Sequence, residues 1–200
     1  PFITPVKFII RGEIIEGSDF EYTSRDGSYS FSSPSPEKYL DKLILRDSSS
    51  LVDDFNGVTV QEIIDFLVDT GEALNFDRNP LMQDACEVSI PFNGLTPPII
   101  EASYRMVPSL FTEPLLKMLV ENQIGSRFID GWIDIMAPMG RAKVRAYGAK
   151  TLHIIAGNVP LVAAMTIVNG ALIKSDNIIK LPSNDPLTTT AILATMRDVD

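Results

Sequence analysis

The sequence predicts an α/β fold in three parts: a β-rich segment at residues 1–36, a helical part at 37–147, and a parallel β-α-β-α unit over 148–200. Three observations predict it. Hairpin signals open the chain, amphipathic helical spacing dominates its middle, and two short apolar strands near its end flank a mostly apolar helical segment.

The first part contains two hairpin signals. β-branched residues stand on both sides of Arg11-Gly12, and aromatic residues alternate around Asp26-Gly27. Asp-Gly favours a two-residue turn because both central positions need positive φ. The stretch SSPSPEK, residues 32–38, is expected to be a linker.

The middle part contains two helices with recognisable ends. Thr59 and Glu62 have the spacing of a capping box, and apolar residues follow at helical spacing, so a helix with one buried face is predicted over 60–70. Thr112 is predicted to cap a second helix, which stops at Gly125.

Two further segments of the middle part are less regular. A third helix is predicted over 97–106, whereas 128–147 gives a mixed signal and is expected to be loop with short strand. Within that stretch Arg141, Lys143 and Arg145 alternate with small or apolar residues. This alternation favours an exposed strand face over a contact with a nucleotide phosphate of coenzyme A.

The last part gives the sharpest pattern. The run LHIIAG has the length of a strand, and Pro160 stands where a first helical turn accepts proline. A second strand is predicted over 177–182, and Asp185 can cap a helix over 187–197. A short helical crossover makes the two strands parallel and the connection right-handed.

Parallel strands joined in this way end at one edge, where Rossmann-like folds bind their ligands. The predicted edge contains residues 156–158 and 180–184. A membrane span over 151–173 is the alternative, because the segment is long and has His153 as its sole titratable residue. Its Gly, Asn and Pro residues favour the strand-turn-helix interpretation.

The composition limits the class of partner. A formal charge of -9 disfavours nucleic acid and anionic membrane surfaces, so a small molecule or another protein is expected. The single cysteine, Cys86, excludes an internal disulfide and a cysteine-rich metal site, so no metal is expected, and it fits a cytoplasmic location. Because the sequence begins with Pro1 and stops at Asp200 within an apparent helix, a longer parent protein is expected.

Three strings near the end carry a resemblance to a known family: GNVPL, NGAL and NIIKLPSNDPLT. They resemble the start of the cofactor-binding domain of the aldehyde dehydrogenase superfamily. The resemblance is closer to the long-chain acyl-CoA reductases, the LuxC family of bacterial bioluminescence, and it covers roughly residues 150–197. It implies an aldehyde-dehydrogenase-like fold in which 148–200 begin an incomplete Rossmann-like dinucleotide-binding domain.

The resemblance also implies roles for particular residues. Asn158 matches the asparagine that donates to the substrate oxyanion, Lys180 matches the lysine that reaches the adenosine ribose, and Ala156-Gly157 would follow the cofactor through backbone contacts. Ser183 replaces a glutamate of NAD-preferring relatives, so NADPH becomes plausible beside NADH. The sequence departs from the superfamily in that Leu181 intervenes before the proline. A Gly-rich turn and a nucleophilic cysteine are expected beyond residue 200.

The function implied is an NADPH-dependent reductase of acyl-CoA or acyl-protein thioesters that releases a long-chain aldehyde. A homo-oligomer or a complex with an acyl-donating enzyme is expected, and the 200 residues alone should be inactive. One alternative is a non-catalytic α/β module that uses residues 6–31 for oligomerisation or interaction. Another is a relative that acts on a small semialdehyde or acyl phosphate.

Each candidate residue also has a plain structural interpretation. Asn158 before a helix is a normal capping residue, and Lys180 could be a solvated strand-end lysine. His153 within a strand is more often a satisfied core histidine than a general base. Cys86, beside acidic residues, is expected to be an inert thiol.

Overall fold

A computed structural model describes residues 3–23, 27, 29–44, 47–157 and 159–199. The strands of these residues are β1 (Ile3–Pro5), β2 (Phe8–Ile10), β3 (Glu13–Ile15), β4 (Phe20–Thr23), β5 (Ser30–Ser33), β6 (Ile133–Ala137), β7 (Gly140–Val144), β8 (Lys150–Ile154) and β9 (Asp176–Lys180). Their α-helices are α1 (Leu40–Leu43), α2 (Ser48–Phe55), α3 (Val60–Ala73), α4 (Pro80–Ser89), α5 (Pro97–Met106), α6 (Glu113–Gln123), α7 (Ser126–Asp130), α8 (Pro160–Leu172) and α9 (Thr188–Val199). The fold is therefore mixed α/β, with small sheets before and after a run of helices in the sequence.

Both predicted hairpins are present. Arg11 and Gly12 connect β2 to β3 with φ of +49° and +79°, the left-handed conformations that a tight turn requires. β4 pairs antiparallel with β5, and β1 joins the other side of β5 in parallel. The register of β4 with β5 is centred between positions 26 and 27, which agrees with the predicted turn. Gly27 has φ of +73°, whereas Asp26 lies outside the described residues.

The prediction of a linker at 32–38 is wrong. Strand β5 and a 3-10 helix, Pro36–Tyr39, occupy most of it. The buried backbone N–H of Ser35 donates to the carboxylate of Asp19 at 2.8 Å, and Lys38 pairs with the same carboxylate at 2.5 Å. These contacts hold the stretch against β4, and proline suits the first turn of a helix because its φ is already fixed.

Helix α3 begins with the predicted capping box. Thr59 Oγ1 accepts from the Glu62 N–H at 3.2 Å, and the Glu62 carboxylate accepts from the Thr59 N–H at 2.7 Å. The helix packs against α6, α8 and α9. Its apolar face is buried, as predicted, through Val60, Ile63, Ile64 and Leu67.

The other two predicted helices are also present. Helix α5 has the predicted bounds, and α6 follows Thr112 and ends before Gly125, whose φ is +91°. The predicted capping bond at Thr112 is absent, because its hydroxyl contacts the Ser109 carbonyl at 3.4 Å and no helix N–H bonds to it. Pro114 at the second helical position removes one of the N–H groups that such a cap would accept.

The core lies among α3 to α6, α8 and α9. Helix α8 is mostly apolar, and its buried face packs against α3, α5, α6 and α9. The largest fully buried side chains of the described residues include Leu67, Leu74, Met82, Ile100, Tyr104, Phe111, Leu116, Leu172 and Ile192.

Strands β6 and β7 form a hairpin within 128–147, where loop with short strand was predicted. Arg141 and Lys143 are exposed on β7, which confirms the exposed strand face. Arg145 follows the strand and is half-buried, with its guanidinium carbon 5.0 Å from the centre of the Tyr147 ring.

The last part is a β-α-β-α unit, as predicted. β8 and β9 pair in parallel with Ile154 opposite Lys180, and Pro160 is the first residue of the connecting helix α8. Gly148 precedes β8, and a Cβ at this position would collide with the backbone carbonyl of Lys174. Helix α9 then packs against α3, α4 and α8.

The membrane-span alternative for 151–173 is wrong, since these residues form a strand, a turn and a 13-residue helix. Among the residues described, no helix has both the length and the apolar character needed to cross a bilayer.

The two faces of the β8–β9 sheet differ. Ile155 and Ile179 contact the core on the side of α8 and α9. Leu152 and Ile154 alternate with them, point to the opposite face and are 63% and 76% exposed. Among the described residues, Leu152 and Ile154 are therefore exposed apolar side chains on this face.

Candidate functional site

The candidate site is the edge at which β8 and β9 end. Because the two strands are parallel and Ile154 lies opposite Lys180, the residues that follow each strand meet at the same edge. Ala156 and Gly157 follow β8, and Ser183 follows β9. The structure thus places the predicted residues Ala156 and Gly157 at the same edge as the predicted residue Ser183.

The two strand-end turns are in direct contact. The side-chain amide of Asn184 donates to the Gly157 carbonyl at 2.5 Å. A Cβ at Gly157 would lie 2.7 Å from Cβ of Pro182 and would collide with the Asn184 side chain. Position 157 therefore has room only for glycine, since the second turn occupies the space of a side chain.

Exposure differs among the predicted site residues. Ala156, Lys180 and Ser183 are exposed, whereas Gly157 is buried under the second turn. Asn158, the predicted oxyanion donor, lies outside the described residues. Its assigned role stays a prediction, as do the cofactor contacts assigned to the other four.

Asp185 lies three residues before the first residue of helix α9 and bonds to its first N–H, as the predicted cap would. Its carboxylate accepts from the Thr188 N–H at 3.2 Å and from the Thr188 hydroxyl at 2.5 Å. It is 8% exposed, and burial raises the pKa of its carboxyl group, while the two bonds from Thr188 lower it in part. The carboxylate therefore points into the protein and away from the strand-end edge.

A buried polar network continues from Asp185. The Tyr104 hydroxyl lies 2.6 Å from Thr188 Oγ1, and it also contacts the Ala85 carbonyl at 3.1 Å and Ser89 Oγ at 3.2 Å. Helix α5 is thus hydrogen-bonded both to α4 and to the start of α9. The turn after β9 is fixed to the helical body through this network.

His153 lies on β8, on the face that packs against α8. It is half-buried, and its Nε2 lies 2.9 Å from Oδ1 of Asn177 on β9. The structure thus gives this histidine a cross-strand partner, in agreement with the plain structural interpretation. It also lines an open, largely apolar groove of about 390 Å³ with Leu161 and Met165 of α8.

Cys86 lies on α4, within the core. It is 4% exposed, and burial raises the pKa of its thiol to about 11, with nearby Glu101 and Glu87 acting in the same direction. A thiol in this position is neutral and inaccessible at physiological pH, which agrees with the predicted inert role.

One ion pair, at the end of β8 and β9 opposite to the candidate site, was not predicted. Lys174, the residue that turns the chain after α8, is 6% exposed, and its Nζ lies 2.8 Å from a carboxylate oxygen of Asp130. The same ammonium donates to the Val58 carbonyl at 2.5 Å, while the Asp130 carboxylate accepts from the Val60 N–H at 2.9 Å. The partners are 44 residues apart, and no local pattern marks them.

The contact of Asn184 was also missed, because Asn-Asp-Pro was interpreted as turn and cap chemistry. That interpretation is right for Asp185, whereas Asn184 reaches across to the other turn, 27 residues earlier. No spacing rule links the two positions. Their place at the ends of neighbouring parallel strands is the one available signal.

The exposed residues of the edge suit a nucleotide. Lys180 offers an ammonium and Ser183 a hydroxyl, both of which can bond to ribose hydroxyls or phosphate oxygens. The nearest carboxylate along the chain, that of Asp185, is turned inward to Thr188. The donor set of the described residues is therefore compatible with an anionic dinucleotide.

Comparison with known proteins gives a consistent family. The profile of the family described as Acyl-CoA reductase (LuxC) matches residues 55–200. A long-chain acyl-protein thioester reductase of Vibrio harveyi is 29% identical over 152 residues, which cover 74% of this chain and 31% of that protein. Long-chain acyl-protein thioester reductase 2 of Photobacterium leiognathi is 31% identical over 148 residues, which cover 72% of this chain and 30% of that protein.

A third relative is more similar over a shorter stretch. The long-chain acyl-protein thioester reductase of Photorhabdus laumondii is 40% identical over 84 residues, which cover 41% of this chain and 17% of that protein. The chain thus spans about a third or less of the length of these relatives. Since the family profile covers well over half of the sequence, the chain belongs to the LuxC family of acyl-CoA reductases.

Proposed function

We propose that the complete protein is an NADPH-dependent reductase of fatty acyl thioesters, either acyl-CoA or acyl-protein, which releases a long-chain aldehyde. The observation that carries this proposal is the contact between the two turns at the carboxyl ends of β8 and β9, in a chain of the LuxC family. Such an edge is where parallel α/β sheets bind nucleotides. The relatives are named for the reduction of acyl-protein thioesters.

The choice of NADPH over NADH is supported by the charges at the edge. Lys180 contributes a positive charge and Ser183 a neutral hydroxyl, and both are exposed. The carboxylate of Asp185 is buried against Thr188. A 2′-phosphate would therefore meet no carboxylate from this turn, and Lys180 would attract it.

The proposed roles follow from the chemistry of an acyl reductase. The acyl group would pass from the donor thioester to the thiol of a cysteine other than Cys86, and the donor thiol would leave; the thiol of Cys86 is itself buried and held neutral. The side-chain amide of Asn158 would donate to the oxygen that becomes negative when the acyl carbon turns tetrahedral. Bound NADPH would supply the hydride.

An aldehyde-dehydrogenase-like architecture is part of the same proposal. Parallel sheets are normally covered on both faces, yet Leu152 and Ile154 leave one face of β8 bare. In the complete protein, further strands and helices of a Rossmann-like domain would cover this face. We also propose a cytoplasmic enzyme that forms a homo-oligomer or a complex with an acyl-donating enzyme.

The test is the substitution Asn158→Ala in the complete protein. We expect the rate of acyl-thioester reduction to fall about 100- to 1000-fold, because one donor to the oxyanion is lost. NADPH consumption with a long-chain acyl-CoA would be followed by absorbance, and NADPH binding by nicotinamide fluorescence. An unchanged rate would contradict the role of Asn158, and absence of nucleotide binding by the unsubstituted protein would favour the non-catalytic module instead.

A further inference from the structure

We infer that Asn184 is a positioning residue for nucleotide binding: its side-chain amide holds the turn after β8 in the place where its backbone can follow the dinucleotide. This inference rests on the proposed function. It assigns a task to a residue that does not itself need to touch the nucleotide.

The first observation is the hydrogen bond across the edge. Asn184 Nδ2 donates to the Gly157 carbonyl at 2.5 Å, in a partly buried contact between the two turns. The Gly157 carbonyl thereby has a partner within the protein and is held close to the second turn. Exposed Ala156, which precedes Gly157, is held relative to Lys180 and Ser183 through this bond.

The second observation is the fit of the two backbones. Gly157 is buried, and Pro182, also buried, lies where a side chain at Gly157 would begin. A hydrogen bond fixes direction, and this close packing fixes distance. The two turns therefore form one unit with a single relative position.

The third observation is that the second turn is hydrogen-bonded to the helical body. Asp185, next to Asn184, is buried and bonded to Thr188, which contacts Tyr104 in the helical body. The second turn is thus hydrogen-bonded to α5 through Thr188 and Tyr104, and Gly157 of the first turn is bonded to Asn184 of the second. Asn184 therefore connects Gly157 of the first turn to the helical body.

The expected consequence concerns affinity for the nucleotide. A loop that already has its bound conformation loses little entropy on binding, and a released loop must be ordered by the ligand. Removing the Asn184 amide should therefore weaken NADPH binding about tenfold. An effect of this size is expected when one hydrogen bond that orders the loop is lost.

The experiment uses the complete protein and compares the unsubstituted form with Asn184→Ala, Asn184→Asp and Gln83→Ala. Asn184→Asp keeps the shape of the side chain and removes the donor, but its charge would also repel the phosphates, so weaker binding by this variant counts only together with that of Asn184→Ala. Gln83→Ala is the matched control, because Gln83 on α4 also donates a side-chain amide hydrogen bond to a backbone carbonyl, that of Phe76, at 2.8 Å. NADPH is titrated with nicotinamide fluorescence as the signal, and each variant's Tm is measured.

We expect both Asn184 variants to raise the Kd for NADPH about tenfold, with the Gln83 variant unchanged. A merely structural role would lower the Tm and leave the Kd of the folded protein unchanged, and this result would overturn the inference. Tight binding by Asn184→Asp would also overturn it, since the donor would then be unnecessary. If the unsubstituted protein bound no NADPH, the proposed function would fail and the inference with it, a result distinct from equal binding by all four proteins.

Discussion

The phenol oxygen of Tyr104 lies 2.6 Å from the hydroxyl oxygen of Thr188, 84 residues later in the chain. Both residues are buried, with 1% and 0% of their surfaces exposed. This contact connects α5 to the start of α9, and so the helical body to the candidate site. The network can be tested at its centre.

Replacing Tyr104 by phenylalanine removes the hydroxyl and keeps the ring. We expect Tyr104→Phe to lower the free energy of unfolding by about 1–3 kcal/mol, because Thr188, Ser89 and the Ala85 carbonyl each lose a buried partner. Urea unfolding measures this change. Tyr147→Phe, at a residue that is 49% exposed, is the control and should change stability by less than about 0.5 kcal/mol. Equal effects of the two substitutions would contradict the prediction.

The buried carboxyl group of Asp185 predicts a dependence of stability on pH. Burial raises the pKa of this carboxyl group, so its protonated form is favoured more in the folded protein than in the unfolded chain. The contribution of this group to the free energy of unfolding is fully present below its pKa in the unfolded chain, about 3.9. It is lost as the pH rises through the higher pKa of the folded state. An asparagine side chain at this position would stay neutral and keep an oxygen for the Thr188 N–H.

We therefore expect Asp185→Asn to gain stability relative to the unsubstituted protein as the pH rises from about 4 to about 7. Thermal unfolding at several pH values measures the difference in Tm. Asp69→Asn, at a residue of α3 outside the buried network, serves as the control. A difference that stays constant with pH would show that the carboxyl group of Asp185 does not titrate differently in the fold.

The ion pair of Lys174 with Asp130 gives a third prediction. Lys174→Ala should lower the free energy of unfolding by about 2–3 kcal/mol, because Asp130 and the Val58 carbonyl lose their partner. The loss should be smaller than for a fully buried pair, since the Asp130 side chain is 31% exposed and can be hydrated.

The matched control is Lys117→Ala, which removes an exposed pair with Glu113 within one helix. It should cost about 0.3–0.5 kcal/mol in the same urea experiment. The prediction fails if the two lysine variants lose the same stability.

The thiol of Cys86 should react slowly in the folded protein. With a pKa of about 11, only about one thiol in a thousand would be ionised at pH 8, and burial limits access further. Reaction with Ellman's reagent, before and after unfolding in guanidinium chloride, measures this difference. Fast reaction in the folded state would show that the thiol is accessible and would reopen a chemical role for it.

The elements that could be predicted from the sequence are those with signals a few residues apart. The turn at Arg11-Gly12, the capping box of Thr59 and the proline that starts α8 each depend on local backbone chemistry, and all three are present. The parallel pairing of β8 and β9 could be predicted too, because a short helical crossover leaves few other arrangements.

The long-range contacts of the fold and of the site could not be predicted in the same way. Asn184 with Gly157, Tyr104 with Thr188 and Lys174 with Asp130 depend on how separate elements pack, and a single sequence has no periodicity that reports such pairs. The error at Thr112 has a local cause, since Pro114 removes a donor that the capping rule assumes. The linker at 32–38 was misjudged because proline and serine also occur where a strand passes into a 3-10 helix.

The two glycines at the ends of β8 have a joint consequence for the pairing of the strands. Gly148 lies against the Lys174 carbonyl and Gly157 against Pro182, so each end of the strand has room for no side chain. A slip of β8 by one residue would bring a side chain into both places, because every neighbour of these glycines carries a Cβ. The strand therefore has one permitted alignment with β9, and the same two glycines that admit the neighbouring turns also exclude misaligned folding of the unit.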